Sequence, residues 1–470
     1  ARPHSQSAKR DDYERVWDQI WNAEPRDGAR IAEAKARYED QDWKGEEEAV
    51  AISLEELETG LRALKSHKAA GIDELPNELL KILSTPMKSR LAEILTDIVR
   101  NPGTIPAVWF ESLVALIPKV ANPTESEHRP ISLMAHTAKL LEGILLRRMA
   151  SVPEVAHHAD QGGFQKGRGA LDQVLRLQVA SELMRRKGLP GWAVMLDLKK
   201  AFDRVPVPIL VAKLLDNFPA LPKYFVRFVA HWLEGHHRLL LLDGSTEDAK
   251  RIPIAWGVPQ GSVLAPFLFN CFIDDFFGVV AEGMQGIELA PNYVVGPCLG
   301  FADDMCLVGA DQVSLQHGLD LAEQWALENG MQFNGIKTQL VRLGSRVVRL
   351  GVAQVHNMDL PGLNMAGIPI VQEETGKYLG VEIPVSSDGL AGLDAKVDEL
   401  LKKTLALKKK HVYSARFGCP IGIGRLMVTA VAVPKLLYGA QVGNVDAPLI
   451  SRTLGTLGVR ILGAYGTDSR

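Results

Sequence analysis

Three aspartates lie in two short apolar segments of the sequence. Asp197 ends one apolar run, and Asp303 and Asp304 stand between the apolar residues 298–301 and 305–308. A carboxylate is costly in apolar surroundings unless a positive charge offsets it. Carboxylate oxygens suit hard divalent cations, and two such ions can hold the attacking and leaving oxygens of an in-line phosphoryl displacement. The pattern therefore predicts a two-metal phosphoryl-transfer site.

The local pattern also predicts the elements that carry these aspartates. The run ending at Asp197 indicates a buried strand, and Asp303-Asp304 fit a hairpin turn because charges interrupt two apolar strands only there. Asp-Asp pairs also occur at 11–12, in a polar helix, and at 274–275, where we expect them to end a helix begun near Gly261. Both of these pairs are expected to face solvent.

Capping and turn signals predict the remaining elements. Ser53 and Glu56 fit a capping box, Asp243-Gly244 a hairpin turn, and Gly330 the residue that stops a helix. The predicted helices are 53–65, 135–149, 172–186 and 315–327, and the predicted strands are 109–118, 129–133, 239–242, 252–254, 339–343 and 378–381. We find no internal repeat and no low-complexity tract.

Composition limits the class of protein. The 470 residues, 46% hydrophobic and 23% charged, are typical of a globular chain with two to four subdomains. No run approaches 18 uncharged apolar residues, so we predict no membrane span. Four dispersed cysteines argue against a zinc knuckle and a disulfide framework, and they favour an intracellular protein with reduced thiols. Because the chain begins with Ala1 rather than Met, we expect a fragment of a longer protein.

Charge is distributed unevenly along the chain, although the net charge is only −3. Residues 1–60 carry 9 Lys and Arg against 16 Asp and Glu, whereas residues 401–470 carry 11 against 2. A basic tail can bind phosphates locally even when the net charge is negative. A solvated basic helix surface is the plainer alternative for this tail, and both interpretations stay open on charge alone.

Two further segments carry groups that could meet a nucleotide. Phe202, five residues after Asp197, could exclude a 2′-hydroxyl by size, or it could be an ordinary core phenylalanine. Gly257 and Gly261 allow the backbone to approach a ligand closely, and the amide of Gln260 can both donate and accept hydrogen bonds. The same segment also fits a turn that leads into a buried helix.

Taken together, these blocks resemble the polymerase motifs of reverse transcriptases. Asp197-x-x-x-Ala201-Phe202-Asp203, Gly257-Val258-Pro259-Gln260-Gly261-Ser262 and Phe301-Ala302-Asp303-Asp304 are similar to motifs A, B and C. Flanking blocks narrow the resemblance to enzymes of non-LTR (LINE-type) retrotransposons: Lys68-Ala69-x-Gly71-x-Asp73, Leu116-Ile117-Pro118-Lys119, Arg129-Pro130-Ile131-Ser132, Gln161-x-Gly163-Phe164, Asn334-Gly335-Ile336-Lys337 (motif D) and Tyr378-Leu379-Gly380-Val381 (motif E). The resemblance covers roughly residues 60–385 in family order.

The resemblance implies a role for each matching residue. Asp197, Asp303 and Asp304 would be the catalytic ligands of two Mg2+ ions, with Mn2+ as a substitute. Lys337 would protonate the leaving pyrophosphate. The implied nucleotide-binding residues are Lys119, Arg129, Leu198 (through its backbone), Phe202 as the steric gate and Gln260 at the sugar. Within the matching blocks, Arg168 and Gly261 would contact nucleic acid. In the basic tail beyond these blocks, the expected contacts with the template–primer backbone are Lys402, Lys403, Lys408, Lys409, Lys410 and Arg416. Phe301 departs from the commoner Tyr of motif C, but a tyrosine hydroxyl there is not a metal ligand.

The resemblance also implies a fold and an activity. The fold would be an α+β right hand, with an acidic helical extension (1–60), fingers (61–190), a palm (191–390) and a basic helical thumb (391–470). The activity would be RNA-directed DNA synthesis from dNTPs on a DNA primer or target DNA, with an RNA template. The family further implies a ribonucleoprotein with the element RNA and a nuclear location.

Two other functions are alternatives to this one. A catalytically inactive RNA-binding scaffold on the same fold would be expected to have lost metal carboxylates, yet all three stand here. An RNA-dependent RNA polymerase would need a small or polar residue at position 202. We recognise no nuclease domain and no Cys/His knuckle, so we expect an excised or truncated polymerase core, or nicking activity encoded elsewhere.

Overall fold

The computed structural model describes residues 3–23, 28–43, 50–290, 293–343, 362–373 and 376–383. Within these ranges the chain is a mixture of helices and sheets, which confirms the predicted class of mixed α and β structure. The chain divides into two compact units. Unit 1 is Ala1–Phe164, Asp197–Gly283 and Leu319–Asn334, and unit 2 is Gln165–Leu196, Met284–Gly318 and Gly335–Arg470. The predicted boundaries at 60, 190 and 390 stay predictions.

The helices and strands of the described ranges are as follows. The α-helices are α1 (Pro3–Trp21), α2 (Gly28–Glu39), α3 (Leu54–Ala63), α4 (Asn77–Lys81), α5 (Thr85–Arg100), α6 (His136–Ala150), α7 (Ala170–Lys187), α8 (Val207–Asn217), α9 (Lys223–Leu233), α10 (Ala265–Gly283) and α11 (Gln312–Glu328). The strands are β1 (Glu111–Pro118), β2 (His128–Leu133), β3 (Trp192–Asp197), β4 (His237–Leu241), β5 (Ile252–Pro253), β6 (Ile287–Ala290), β7 (Tyr293–Val295), β8 (Cys298–Phe301), β9 (Asp304–Gly309), β10 (Gln339–Arg342), β11 (Asn364–Met365), β12 (Ile368–Pro369), β13 (Val371–Glu373), β14 (Gly376–Tyr378) and β15 (Val381–Ile383). Short 3-10 helices span Pro102–Thr104, Ala107–Phe110 and Ala201–Arg204.

Unit 1 contains a four-stranded sheet in the order β2-β1-β4-β5. β1 pairs with β2 in an antiparallel hairpin and with β4 in a parallel arrangement. Trp17 and Trp21 of α1 are fully buried in a cluster with Val114, Leu240 and Ile252 of this sheet. Because burying large aromatic side chains removes much apolar surface from water, α1 is an integral part of unit 1.

Local signals set several element boundaries in unit 1. Ser53 caps α3 with the predicted capping box, in which Ser53 and Glu56 each accept the other's backbone N–H. Asp243 and Gly244 both have positive φ, as a type I′ turn requires. The turn pairs Leu242 with Ser245, so it does not join β4 directly to β5. Gly330, with φ of +68°, ends α11 in a Schellman motif in which Met331 N–H donates to the Ala326 carbonyl.

Unit 2 is built on a five-stranded sheet in the order β13-β10-β3-β9-β8. Its core is formed by apolar residues of α7 and of the strands, among them Leu177, Ala193, Cys306 and Val341. Residues 192–196 of β3 are buried on both faces, which explains why the sequence there is continuously apolar rather than alternating. The sheet holds the segment that precedes Asp197 and the hairpin that carries Asp303 and Asp304.

Two sequence predictions were wrong. The Asp274-Asp275 pair does not end α10 in solvent, because α10 continues to Gly283 and both side chains are half-buried. The Asp274 carboxylate accepts the backbone N–H of His158 at 2.7 Å, and Asp275 accepts from Lys213 Nζ at 2.7 Å. Burial lowers the pKa of Lys213 to about 8, with Asp275 opposing the shift.

The second error concerns motif E. Residues 378–381 do not form one strand: Leu379 and Gly380, both with positive φ, are a two-residue turn between β14 and β15. The buried Tyr378 hydroxyl donates to the Leu299 carbonyl at 3.2 Å and thereby connects this hairpin to β8 within unit 2.

Candidate active site

The three predicted carboxylates lie at strand ends. Asp197 is the half-buried last residue of β3, and β3 is the hydrogen-bonded neighbour of β9 in the sheet. Phe301 pairs with Asp304, so Ala302 and Asp303 form a two-residue turn between β8 and β9. Asp304 is the exposed first residue of β9. The predicted hairpin with its charges at the turn is therefore confirmed.

The hairpin turn holds an unusual backbone conformation. Ala302 has φ of +58°, and among the two turn residues it alone has a positive φ, the sign pattern of a type II′ turn, in which glycine is usual at this position. A non-glycine residue in a sparsely populated region of φ and ψ costs about 1–3 kcal/mol, and such strain clusters at active sites and ligand clamps.

The donor set can be compared with what a divalent cation requires. Within the described ranges, no group of three or more His, Cys, Asp or Glu side chains is placed closely enough to hold a metal ion. The chemical types nevertheless fit, because carboxylate oxygens are the ligands that Mg2+ prefers, and no soft ligand competes at these three positions.

Around Asp197, backbone hydrogen bonds connect motif A to the motif D segment. The Asp197 carbonyl accepts from Asn334 N–H at 2.8 Å, and Lys199 N–H donates to the Gln332 carbonyl at 2.9 Å. Leu198, buried between them, forms an isolated antiparallel bridge with Phe333. The predicted nucleotide contact of the Leu198 backbone is not tested by this arrangement.

Asp203, the last residue of motif A, is buried and contacts motif B, a role that the sequence pattern did not predict. Its carboxylate accepts hydrogen bonds from Trp21 Nε1 at 3.1 Å, Arg238 Nη1 at 3.2 Å and Gln260 Nε2 at 2.9 Å. The Arg238 guanidinium is 2% exposed and stacks 4.6 Å from the centre of the Trp21 ring. Burial lowers the pKa of Arg238 and Asp203 opposes the shift. An arginine nevertheless stays protonated in a protein.

Phe202, the predicted steric gate, is half-buried and held in place by other aromatic rings. It stacks on Phe269 of α10, with ring centroids 4.4 Å apart and planes 13° from parallel. The exposed Phe164 ring is nearly perpendicular to the Phe202 ring, with ring centroids 6.2 Å apart. Because χ rotation of Phe202 would break the stacking contact, the ring has a defined position.

The two glycines of motif B are explained by protein contacts. A Cβ on Gly257 would lie 2.7 Å from the Asp203 carbonyl oxygen, and one on Gly261 would lie 2.2 Å from the Ser132 carbonyl oxygen. The close approach that the sequence predicted is therefore made to protein backbone. The nucleic-acid contact predicted for Gly261 stays a prediction.

Glu142 is a second buried acid whose role the sequence pattern did not predict. Its carboxylate accepts from Trp232 Nε1 at 2.8 Å, Ser262 Oγ at 2.7 Å and Val263 N–H at 2.7 Å. The Ser262 hydroxyl in turn accepts the N–H groups of Leu264 and Ala265, where α10 begins. Burial raises the pKa of Glu142, and the three donors oppose the shift. The network fixes motif B to α6.

Replacing Glu142 with alanine should lower the free energy of unfolding by about 2–3 kcal/mol, because buried donors would lose their acceptor. Urea denaturation followed by circular dichroism would measure the change. The exposed Glu154 offers a control, since Glu154→Ala should stay within about 0.5 kcal/mol of wild type. Equal effects of the two substitutions would contradict the role given to Glu142.

Lys119 and Arg129 lie on the exposed end of the β1–β2 hairpin. Lys119 N–H donates to the Glu127 carbonyl at 3.0 Å, and Arg129 pairs with Ile117 across the hairpin. The loop between them is held by Lys200, whose ammonium donates to the Ser126 carbonyl at 2.6 Å and lies over the Trp17 ring. Lys119 and Arg129 therefore lie at the same end of one hairpin, and their contact with a triphosphate stays a prediction.

Only some of the other predicted binding residues lie within the ranges that the structure describes. Lys337 is exposed in the loop before β10, and Arg168 is exposed in the loop before α7. Neither position tests its predicted role. The predicted thumb contacts all lie outside the described residues: Lys402, Lys403, Lys408, Lys409, Lys410 and Arg416.

A known protein family matches more than half of this chain. The family model described as reverse transcriptase (RNA-dependent DNA polymerase) matches residues 117–383. The chain therefore belongs to the reverse transcriptase family. Its relatives come from non-LTR retrotransposons, as the sequence predicted.

Three relatives illustrate the similarity, each aligned with 84% of this chain. The RNA-directed DNA polymerase from mobile element jockey of Drosophila melanogaster is 28% identical, and the alignment covers 42% of its length. The probable RNA-directed DNA polymerase from transposon BS of the same species is 32% identical over 42% of its length. The Pol polyprotein from type-1 retrotransposable element R2 of Popillia japonica is 26% identical over 52% of its length. The chain thus spans about half or less of these relatives.

Proposed function

We propose that this chain is the polymerase region of a non-LTR retrotransposon protein and that it synthesises DNA on an RNA template. The observation that carries the proposal is the family match over residues 117–383, in which Asp197, Asp303 and Asp304 are all present. An inactive RNA-binding scaffold is the less favoured alternative, because a chain that had lost synthesis would be expected to have lost metal carboxylates, and Asp197, Asp303 and Asp304 are all present.

The proposed mechanism is attack of a primer 3′-hydroxyl on the α-phosphorus of a dNTP, with pyrophosphate as the leaving group. Two Mg2+ ions, held by Asp197, Asp303 and Asp304, would supply charge stabilisation when bound, and Mn2+ would substitute. Lys119 and Arg129 would bind the triphosphate as fixed cationic donors, and the Leu198 backbone would help to seat it. Lys337 would donate a proton to the pyrophosphate oxygen.

The wider arrangement is also a proposal. The chain would form fingers (61–190), palm (191–390) and thumb (391–470) of a right hand, and the basic thumb would follow the template–primer backbone. Gly261 and Arg168 would contact nucleic acid as well. The partners would be template RNA, DNA primer or target DNA and the element RNA of a nuclear ribonucleoprotein. No helix of the described residues is long and apolar enough to cross a membrane.

Primer extension on an RNA template tests the proposed function. With Mg2+ present, the chain should extend a DNA primer with dNTPs and should not extend it with rNTPs. Extension that needs both the RNA template and the metal supports the proposal. A chain that binds RNA but adds no nucleotide would contradict it and favour the scaffold.

Phe202→Val should raise ribonucleotide incorporation relative to deoxynucleotide incorporation by about tenfold or more, because a smaller side chain leaves room for a 2′-hydroxyl. The ratio of kcat/KM for rNTP and dNTP measures this without depending on the amount of folded protein. Phe110→Val is the matched control, because Phe110 is also half-buried but its ring contacts Trp232 and His236 rather than Phe202, so the ratio should stay unchanged. An unchanged ratio for Phe202→Val would show that Phe202 is a core residue only.

A further inference from the structure

Gln260 of motif B forms hydrogen bonds with Asp203 and Ser132. Its side-chain Nε2 donates to Oδ2 of Asp203 at 2.9 Å, and its backbone carbonyl accepts the Ser132 N–H at 2.7 Å. A carboxylate can only accept hydrogen bonds, so the NH2 end of the amide must face Asp203. The identity of the two amide ends is therefore fixed by Asp203, and the carbonyl Oε1 is the acceptor that Gln260 can offer to a ligand.

Asp203 is itself held by two residues from distant parts of unit 1. Arg238 of β4 and Trp21, the last residue of α1, both donate to its other oxygen, Oδ1. Arg238 is 2% and Asp203 1% exposed, so neither partner can be lost without leaving a buried charge unpaired. Oδ2 is thereby left to face Gln260.

We propose that Asp203, Arg238 and Trp21 are positioning residues that set the amide of Gln260 for the sugar of the incoming nucleotide. This inference rests on the proposed function, because the sugar contact of Gln260 is part of it. The 3′-hydroxyl is the donor on deoxyribose that an amide oxygen could accept from. The N-terminal helix α1, part of the predicted acidic extension, would then influence nucleotide selection through the hydrogen bonds of Trp21 and Gln260 to Asp203.

The positioning role is tested by the preference for a dNTP over its 2′,3′-dideoxy analogue. Binding of both nucleotides is measured on a primer that ends in a dideoxynucleotide, which has no attacking hydroxyl, so that turnover is not required. Trp21→Phe keeps the buried ring but removes the N–H donor. We expect Trp21→Phe to lower the preference about threefold, and Gln260→Met to lower it about tenfold.

Trp17→Phe is the matched control on the same helix. Trp17 is equally buried and also donates one indole hydrogen bond, but its acceptor is the Glu125 carbonyl. The two Trp→Phe variants should lose similar stability, whereas the sugar preference should change only with Trp21→Phe. If both variants keep the wild-type preference while Gln260→Met loses it, the positioning role is wrong.

Asp203→Asn adds a second test of the same role. An asparagine can present its own NH2 to Gln260, which would let the Gln260 amide turn over, so the preference should fall about as far as in Gln260→Met. Should this variant fail to fold, Trp21→Phe still decides the proposal. A wild-type chain that binds the two nucleotides without preference contradicts the positioning role even if it extends primers. A chain that shows the preference and its loss in Trp21→Phe, but no extension, supports the role and contradicts the proposed polymerase activity.

Discussion

Changing both Asp303 and Asp304 to asparagine is expected to lower kcat/KM for dNTP incorporation at least about a thousandfold. An amide keeps the size of the side chain but removes the negative charge that would bind a divalent cation. Asp304 is exposed and Asp303 lies in the β8–β9 turn, and the melting temperature of the variant shows whether its fold is kept. Asp197→Asn should have an effect of the same order.

The chain offers a matched control for this experiment. Asp11 and Asp12 form another adjacent pair, and both are exposed on α1, where they contact Lys250 and Arg15. Exposed ion pairs contribute little to stability, so Asp11→Asn with Asp12→Asn should leave incorporation within about twofold of wild type. Primer extension under single-turnover conditions measures both variants. Substantial incorporation by the Asp303/Asp304 variant, with its melting temperature unchanged, would show that these carboxylates do not hold the catalytic metals.

The parts of the structure that follow from local sequence were predictable. The capping box at Ser53 and the stop at Gly330 depend on residues within one turn of a helix, so their chemistry is visible in a short window. The hairpin of Asp303 and Asp304 was visible for the same reason, since its two strands and its turn are contiguous in the chain.

The supporting residues of the site could not be predicted in this way. Asp203 bonds to Trp21, 182 residues away, and Glu142 bonds to Ser262, 120 residues away. An acid in a charged segment is expected to be a surface residue unless its distant partners are known. The prediction for the Asp274-Asp275 pair failed for the same reason, because its partners lie on other elements. The sequence pattern was therefore least informative about the environment of buried and half-buried acids.

The sequence pattern around Gly261 correctly predicted a position that requires glycine, but it did not identify the group that approaches this glycine. The conformational freedom of glycine suggested close approach to a ligand, and the structure places the Ser132 carbonyl oxygen there instead. The two explanations differ in what a substitution should change. A ligand contact affects nucleic-acid affinity, whereas a protein contact affects the free energy of unfolding.

Gly261→Ala is therefore expected to lower the free energy of unfolding by at least about 3 kcal/mol. Its Cβ would meet the Ser132 oxygen at 2.2 Å, and φ of +144° is a conformation that L-residues rarely adopt. Ser132 cannot easily move away, because its N–H donates to the Gln260 carbonyl and it pairs with Val114 in the sheet. Chemical denaturation measures the loss.

Gly278→Ala is a control that should raise the free energy of unfolding rather than lower it. Gly278 lies within α10, and no heavy atom outside the helix backbone stands within 4 Å of the place that an alanine methyl group would occupy, so alanine should stabilise the helix by about 0.5–1 kcal/mol. If Gly261→Ala keeps wild-type stability but loses affinity for an RNA–DNA hybrid, the glycine serves nucleic acid rather than the β2 backbone. Loss of stability without that selective loss of affinity would instead place the requirement for glycine in the packing of motif B on β2.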